Sequence, residues 1–340
     1  MSHHRHTDRI DLSHGGGGRA TTELVRGLFQ RHFDNPLLAQ GHDASVMPRP
    51  AGRIVMTTDA HVVAPLFFPG GDIGALAVHG TLNDVAMAGA VPTALSAAFI
   101  LEEGFPLADL DRIAASMAAA AREAGVPIAT GDTKVVEKGK GDGVFIATTG
   151  IGIVPDGIDI GTHRVRPGQA ILLSGTIGDH GVAILAHRQN LSFETRIASD
   201  SQALHRLVAD MVAAVPTLAM LRDPTRGGLS ATLNEIAEAA ALGMTLDERA
   251  IPVLPEVASA CELLGLDPLH VANEGKLVAI CDAADAPALL RAMRARPEGA
   301  AAAIIGEVTA GPAGMVEMTT MIGGRRIVDW LAGEQLPRIC

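Results

Sequence analysis

The stretch from residue 73 to residue 90 constrains the fold most, because it reads as a helix built almost entirely of small residues. Such a helix can press closely against a sheet, which predicts a layered helix-on-sheet architecture. The small positions are Gly74, Ala75, Ala77, Gly80, Ala86 and Ala88. Inside this helix, Asn83 and Asp84 form a polar pair that marks either a solvated turn or a functional site. The apolar residues on both sides favour a functional site.

The segments around this helix predict an α+β domain. A second helix starts near Leu107 and ends at Gly125, which is a typical helix stop. Strands are predicted at residues 53–58, 91–101, 126–130 and 144–154. Asp59, Asp84 and Asp132 are expected on connections or at the ends of elements, where sites form in α/β sheets.

The second half of the chain predicts another α+β unit, without a clear internal repeat. Helices are expected at residues 201–215 and from the stretch 222–228 through residue 241, and Asp223 is either a cap of the latter or a functional residue. Strands are expected at residues 170–174, 277–281, 302–308 and 314–318. A length of 340 residues suggests two domains, with a loop-like boundary at residues 156–165. We predict a disordered N-terminus at 1–12, an N-terminal domain at 13–155, a C-terminal domain at 156–330 and a flexible tail at 331–340.

Composition narrows the function. Aromatic residues make up only 3% of the chain, so both cores must be aliphatic. A net charge of -11 argues against a nucleic-acid partner, and the apolar runs are too short for a membrane span. Three cysteines without a C-x-x-C motif indicate neither a zinc site nor a dithiol centre, and Cys261 and Cys281 are expected to be small core residues. The odd cysteine count and the absence of a signal peptide favour the cytoplasm.

A glycine run and several aspartates suggest nucleotide chemistry. The run Gly15 to Gly18 precedes a helix predicted from about Ala20 to Phe33, and it is either a phosphate-binding loop or a flexible linker. Aspartates at loop ends without His or Cys partners favour Mg²⁺. Lys134, two residues after Asp132, could reach a phosphate or transfer a proton.

The chain ends on Cys340. Pro337 argues against a helix that runs to the end, so the thiol stands on an extended terminus. It is either an accidental last residue or a group that can be carried into a pocket.

Ten stretches give the chain a close resemblance to a known family. They are HGGGG (14–18), TD (58–59), PLFFPGG (65–71), NDVA (83–86), FILEEG (99–104), TGDTKVV (130–136), SGTIGDHG (174–181), RDPTRGG (222–228), ANEGK (272–276) and PRIC (337–340). They resemble the HypE family of hydrogenase-maturation carbamoyl dehydratases, in the superfamily of aminoimidazole ribonucleotide synthetase and selenophosphate synthetase. Two departures are small: a glycine in the run where relatives often carry Ser or Ala, and the histidine cluster near the N-terminus.

The resemblance implies a two-domain PurM-like α+β fold. Its N-terminal domain binds ATP and forms a homodimer, with the strand at 53–58 near the interface. The carbamoyltransferase HypF places a carbamoyl group on Cys340. ATP and Mg²⁺ then drive its dehydration to a thiocyanate, and the cyano group passes to iron on the HypC–HypD scaffold of [NiFe] hydrogenase maturation.

The resemblance also implies the site residues. Glu274 and Lys134 are both candidates for the base that acts beside the carrier Cys340, and the choice between them stays open. The predicted metal ligands are Asp43, Asp59, Asp84 and Asp132. The predicted nucleotide-binding residues are Gly16, Gly17, Asp59, Asn83, Asp84, Asp132, Thr133, Asp223 and Arg226. Two alternatives remain: a related ATP-dependent synthetase with a small soluble substrate, or a non-catalytic maturation scaffold.

Overall fold

The computed structural model describes residues 8–41, 44–48, 51–191, 197–330 and 338–339. The first half forms one sheet with two long helices on one face. In chain order it contains α1 (Arg19–Leu24, extended by a π-helical stretch Val25–Gln30), β1 (Arg53–His61), β2 (Phe67–Phe68), β3 (Gly71–Asp72), α2 (Ile73–Met87), β4 (Val91–Glu102), α3 (Leu107–Ala124), β5 (Ile128–Val136) and β6 (Val144–Val154). The sheet has the strand order β1-β6-β4-β5, and only β4 and β5 pair in parallel.

The small-residue helix packs against this sheet as predicted. Asp72 caps its N-terminus by accepting hydrogen bonds from the amides of Gly74 and Ala75 at 2.8 and 3.1 Å. The approach to β6 is so close that a Cβ on Gly152 would lie 2.4 Å from Val85. The helix ends at Met87, three residues earlier than predicted.

The other face of the sheet exposes several large apolar side chains. Ile54 and Met56 on β1 are 65% and 70% exposed, and in the sheet they pair with Ile153 and Ile151 on β6. Ile100 on β4 is also exposed. Exposed apolar side chains in a contiguous stripe usually mark a surface that another protein covers.

The second half forms a seven-stranded sheet flanked by helices. It contains β7 (Gln169–Leu173), α4 (Asp179–Arg188), α5 (His205–Ala214), β8 (Met220–Arg222), α6 (Gly228–Ala240), β9 (Gly243–Asp247), α7 (Pro255–Leu264), β10 (Val278–Asp282), α8 (Ala286–Arg294), β11 (Ala303–Thr309), β12 (Val316–Thr319) and β13 (Arg325–Ile327). The strand order is β13-β12-β9-β11-β7-β10-β8, and the pairing is antiparallel except between β9 and β12. The predicted α+β class is thereby confirmed in both halves.

Several local predictions need correction. Asp59 and Asp132 lie inside β1 and β5, and Asp84 lies inside α2, so none of the three is on a connection or at an element end. Both strands are longer than predicted because their last residues stay paired in the sheet. Residues 8–12 were predicted to be disordered, but Ile10 is buried and its amide donates to the Phe105 carbonyl at 2.8 Å.

The cores are mainly aliphatic, as the composition predicts, although five buried phenylalanines belong to the core of the first half. Cys261 and Cys281 are free thiols inside them, and burial raises their pKa to about 11 and about 12 respectively. They therefore behave as small core residues, as predicted. Among the described residues, no helix combines the length and the apolar character that crossing a bilayer requires.

Candidate active site at the junction of the two sheets

Four acidic side chains from both halves meet where the two sheets adjoin. Asp59 comes from the helix-facing side of β1, Asp84 from α2, Asp223 from the loop before α6 and Glu274 from the loop before β10. We call these four groups the junction carboxyls. Gly80 on α2 leaves room for one of them, since a Cβ there would lie 3.5 Å from Oδ2 of Asp59.

The junction carboxyls repel one another. Burial and the negative charge of Asp59 raise the pKa of Asp84, although the Thr57 hydroxyl, which donates to Asp84 Oδ2 at 2.9 Å, opposes this rise. Burial and Asp84 raise the pKa of Asp223 to about 7. An excess of negative charge at one place is a setting that favours a bound cation or a proton.

Glu274 is the most perturbed of the four. Burial, followed by the negative charges of Asp200 and Asp223, raises its pKa well above the usual range. Its Oε1 atom is buried, and none of the described residues forms a hydrogen bond with it. A carboxyl with a raised pKa is a stronger base once it has lost its proton, which suits a group that removes a proton from substrate.

The remaining residues of the predicted site lie on β5 and on the glycine run. A Cβ on Gly15 would lie 2.7 Å from the Val135 amide nitrogen, so this glycine lets the run lie against the strand. Gly16 and Gly17 are exposed, and the Gly17 amide donates to the Thr21 hydroxyl at 2.9 Å. The run is thus packed on β5 and leads into α1, which a flexible linker would not do.

On β5 itself, Asp132 and Lys134 form an exposed ion pair with an N–O distance of 2.9 Å. The hydrogen bond from Lys134 lowers the pKa of Asp132. Thr133 between them is buried, and its amide donates to Asp132 Oδ1 at 2.8 Å.

The strand order keeps the two halves of the site apart within one chain. Asp59 is on β1 and Asp132 is on β5, at opposite edges of the sheet, and three strand spacings correspond to roughly 14 Å. In addition, Asp59 faces α2 whereas Asp132 shares the outer face with Ile100. Within the described ranges, no three His, Cys, Asp or Glu side chains form a group that could hold a metal ion. Asp43, the remaining predicted metal ligand, lies outside the described residues.

Asn83 ties the two halves of the chain together. Its side-chain amide donates to the carbonyls of Gln202 and Glu274 at 3.0 and 3.3 Å, and its Oδ1 accepts from the Leu204 amide at 2.8 Å. The side chain is buried, so the alternative of a solvated turn is wrong. The same contacts explain why α5 begins at His205 and not at residue 201, because residues 201–204 bridge the halves.

Asp223 does not cap α6, which was its alternative interpretation. The N-terminal cap is Gly227, and no side-chain cap hydrogen bond is present there. Arg226 is exposed on the same loop, and its charge lowers the pKa of Asp84. The structure therefore brings Asp223 together with Asp59, Asp84 and Glu274 as the junction carboxyls, and Arg226 lies close enough to act on their charge.

Sequence reasoning missed a buried ionic cluster beside Glu274. Lys276 Nζ lies 3.0 Å from Asp200 and 3.9 Å from Asp179, and all three side chains are buried. Asp200 also accepts a hydrogen bond from the Glu274 amide at 3.1 Å. Asp179 and Lys276 stand in two of the quoted motifs, whereas nothing in the sequence around Asp200 predicts its burial.

The end of the chain is docked next to this cluster. The Ile339 side chain is buried, and its carbonyl oxygen lies 2.7 Å from His180 Nε2. The Arg338 carbonyl accepts from Arg188 at 2.9 Å and from the Ala64 amide at 3.2 Å. Arg338 also forms an ion pair with Asp142. Cys340 itself lies outside the described residues.

Two family profiles match most of the chain. The profile of the AIR synthase related proteins, N-terminal domain, matches residues 41–154, and the C-terminal domain profile of the same family matches residues 166–318.

Individual relatives match the chain over nearly its whole length. The chain is 68% identical over 333 residues to the carbamoyl dehydratase HypE of Cupriavidus necator, covering 98% of this chain and 95% of that protein. The fold matches a crystal structure of HypE in complex with ATP with a TM-score of 0.94 at 51% identity, covering 97% of this chain and 99% of that one. A HypE–HypF complex matches with a TM-score of 0.80 at 46% identity, covering 91% and 99%.

Proposed function

The chain belongs to the HypE family of carbamoyl dehydratases, and on that premise we propose that it dehydrates an S-carbamoyl group on its own Cys340 at the expense of ATP. The observation that carries this proposal is the docked end of the chain. The carbonyl that precedes Cys340 lies 2.7 Å from His180 Nε2, and His180 is linked through Ser199 to the segment of Asp200, which accepts from the Glu274 amide. An intramolecular dehydration requires a substrate arm that is held in the neighbourhood of a suitable base.

The reaction balances without any further reactant. The carbamoyl oxygen attacks the γ-phosphorus of ATP, and ADP leaves. A base removes a proton from the nitrogen, the C–N bond gains order, and the C–O bond breaks with release of phosphate. The second N–H proton is lost as the nitrile forms, so the products are a thiocyanate on Cys340, ADP, phosphate and one proton. Phosphorylation is needed because the unmodified oxygen would have to leave as hydroxide.

Glu274 is our first candidate for the base. Its raised pKa makes the deprotonated carboxylate a stronger base than an ordinary one, and its Oε1, which has no hydrogen-bond partner among the described residues, is available to a substrate N–H. Lys134 remains the second candidate, on β5 beside Asp132. There it would contact the phosphate oxygens of a nucleotide bound at the glycine run.

Carboxylate oxygens are the ligands that Mg²⁺ prefers, so Asp59 and Asp84 would hold such an ion. The predicted ligands Asp43 and, from a second copy of the chain, Asp132 belong to the same proposal. When bound, Mg²⁺ neutralises negative charge during phosphoryl transfer. The nucleotide-binding roles predicted for Gly16, Gly17, Asn83, Thr133, Asp223 and Arg226 belong to the same proposal.

A homodimer would complete the site. Asp59 and Asp132 lie at opposite edges and on opposite faces of one sheet, so within a single chain they cannot ligate the same metal ion. The exposed Ile54, Met56 and Ile100 form the apolar surface on which a second copy would pack. We further propose HypF as the carbamoyl donor, the HypC–HypD complex as the acceptor and the cytoplasm as the location. The predicted domain boundary at residues 155/156 also remains a proposal.

The test follows the mass of the C-terminal peptide. The protein is carbamoylated with HypF and carbamoyl phosphate, purified free of nucleotide, and then given ATP and Mg²⁺. We expect the carbamoyl adduct on Cys340 to lose the mass of one water, whereas Cys340→Ala should carry no adduct. An adduct that ATP leaves unchanged would rule out the dehydratase and favour the scaffold. ATP turnover by Cys340→Ala with a small soluble substrate would favour a related synthetase.

A further inference from the structure

Helix α4 presents two hydrogen-bond donors to the end of the chain. His180, in its first turn, lies 2.7 Å from the Ile339 carbonyl oxygen, and Arg188, in its last turn, lies 2.9 Å from the Arg338 carbonyl oxygen. Of these two carbonyls, that of Ile339 is bonded directly to the nitrogen of Cys340. Whatever fixes it also fixes the start of the cysteine.

The hydrogen bonds around His180 define its tautomer. The Ser201 amide donates to Ser199 Oγ at 3.1 Å, and Ser199 Oγ lies 2.7 Å from His180 Nδ1. Burial lowers the pKa of His180, which favours the neutral ring. With Ser199 donating to Nδ1, the ring proton resides on Nε2 and is donated to the Ile339 carbonyl.

His180 is also held rigidly. It is fully buried, and it contacts the Phe68 ring edge-on with a centroid distance of 5.7 Å. The segment that carries Ser199 continues into Asp200, which accepts from the Glu274 amide. A continuous chain of hydrogen bonds and covalent bonds therefore joins the Ile339 carbonyl to the Glu274 backbone.

We propose that His180 is a positioning residue for the dehydration: by donating to the Ile339 carbonyl, it sets where the group on Cys340 lies relative to Glu274. This inference rests on the proposed function. His180 acts only on the docked tail. Transfer of the carbamoyl group from its donor requires the tail to leave this place, so His180 does not assist that earlier step.

The experiment compares three substitutions. His180→Phe keeps an aromatic ring against Phe68 but removes the donor, and His180→Gln restores a donor near the position of Nε2. The matched control is His187→Phe, since His187 lies on the same helix and is exposed. Each protein is carbamoylated, purified, and followed by mass spectrometry during one turnover with ATP and Mg²⁺.

We expect His180→Phe to lose water from the adduct about tenfold more slowly than wild type, the effect of one lost positioning hydrogen bond. His180→Gln should recover most of the rate, and His187→Phe should match wild type. Affinity for ATP should stay within about twofold of wild type in every variant, because His180 acts on the docked tail alone. Carbamoylation by HypF, which uses the released tail, should be as fast in His180→Phe as in wild type or faster.

A second readout does not depend on the reaction. Cys261 and Cys281 are buried, so labelling of the unmodified protein with a thiol reagent reports on Cys340. His180→Phe should label faster than wild type, and His180→Gln should label at close to the wild-type rate. If His180→Phe labels faster but the wild-type protein does not dehydrate its adduct, His180 still anchors the tail and the proposed function is overturned. Equal labelling and equal dehydration in His180→Phe and wild type would overturn the positioning role. A loss of ATP affinity in both His180→Phe and His180→Gln would also overturn it, because His180 would then act on the nucleotide site.

Discussion

Removing the charge of Lys276 should destabilise the protein strongly. The side chains of Lys276, Asp200 and Asp179 are 8%, 4% and 7% exposed, and Lys276 Nζ is the cation that the ion-pair distances place beside both carboxylates. Lys276→Met keeps the length and volume of the side chain. It leaves two buried carboxylates facing each other without that cation.

The size of the loss follows from two limits. At the 3.0 Å separation of Lys276 and Asp200, Coulomb attraction with an effective dielectric constant of about 20 amounts to about 5 kcal/mol. The variant can escape part of this loss by taking up a proton, which costs about 4 kcal/mol at neutral pH for a carboxyl with an ordinary pKa. Mutations that break one partner of a buried pair cost about 3–5 kcal/mol, in line with both limits. We therefore expect the free energy of unfolding to fall by about 4 kcal/mol near pH 7.

The loss should depend on pH with a definite sign. Without Lys276, a buried carboxyl has a folded-state pKa above its unfolded value, so its contribution to stability is present at low pH and is lost as pH rises through the folded pKa. Urea unfolding followed by circular dichroism should therefore show a larger deficit at about pH 8 than at about pH 5.5. Lys140→Met, at an exposed lysine, is the control and should change stability by less than about 0.5 kcal/mol. A Lys276→Met protein as stable as wild type, or one with an equal deficit at both pH values, would refute the buried-charge reasoning.

Three further outcomes test other parts of the structure. Asp223 has a folded pKa of about 7 because of burial and the negative charge of Asp84, so its charged form destabilises the fold increasingly as pH rises toward 7. Asp223→Asn should raise the unfolding free energy by about 4 kcal/mol at about pH 8 and by about 1.5 kcal/mol at about pH 5, as urea unfolding would measure. A Cβ on Gly275 would lie 1.9 Å from the Asp200 carbonyl oxygen, so Gly275→Ala should lower the free energy of unfolding by about 3 kcal/mol in the same assay. Gly18→Ala is the control and should leave it unchanged, because no described atom lies within 4 Å of a Cβ at that position. Met56→Arg places a charge in the exposed apolar stripe on β1 and should convert the proposed dimer to a monomer in light scattering, while unchanged mass would remove that stripe from the interface.

Local patterns explain the parts of the fold that sequence predicted well. The small-residue face of α2 predicts close packing because glycine and alanine leave no side chain to hold the layers apart, and Gly152 on β6 shows the same requirement from the sheet side. Gly125 predicts the end of α3 because it adopts the left-handed conformation that ends helices cheaply, and its φ is 75°.

The relative placement of the aspartates could not be predicted, because it depends on strand order. Asp59 and Asp132 both follow apolar strand residues, which makes them look equivalent in sequence. Strand β1 pairs with β6, about 90 residues further along the chain, and this non-local pairing sends Asp59 to one edge of the sheet and Asp132 to the other. No local signal encodes that pairing, so the sequence could not show that Asp59 and Asp132 of one chain lie far apart.

Burial of Asp200 escaped prediction for a related reason. A lone aspartate between serines normally predicts a solvated loop. Here the loop crosses the junction, where Asn83 and Gly275 bind its neighbours, and the crossing buries the charge. The buried state is a property of three segments that are distant in sequence.

The docked end of the chain must be held weakly enough to leave. Burying Ile339 contributes about 2 kcal/mol, and the three hydrogen bonds to the carbonyls of residues 338 and 339, from His180, Arg188 and the Ala64 amide, contribute about 1 kcal/mol each. Ordering the backbone of these two residues costs about 1–2 kcal/mol each. The difference leaves the docked state favoured by roughly 1–3 kcal/mol. At that balance the released tail accounts for between roughly one molecule in six and one in two hundred. A thiol that must receive its carbamoyl group outside and react inside needs a balance of this kind. A tail fixed by a much larger buried surface would be carbamoylated slowly, and one without His180 would bring the adduct to Glu274 too rarely.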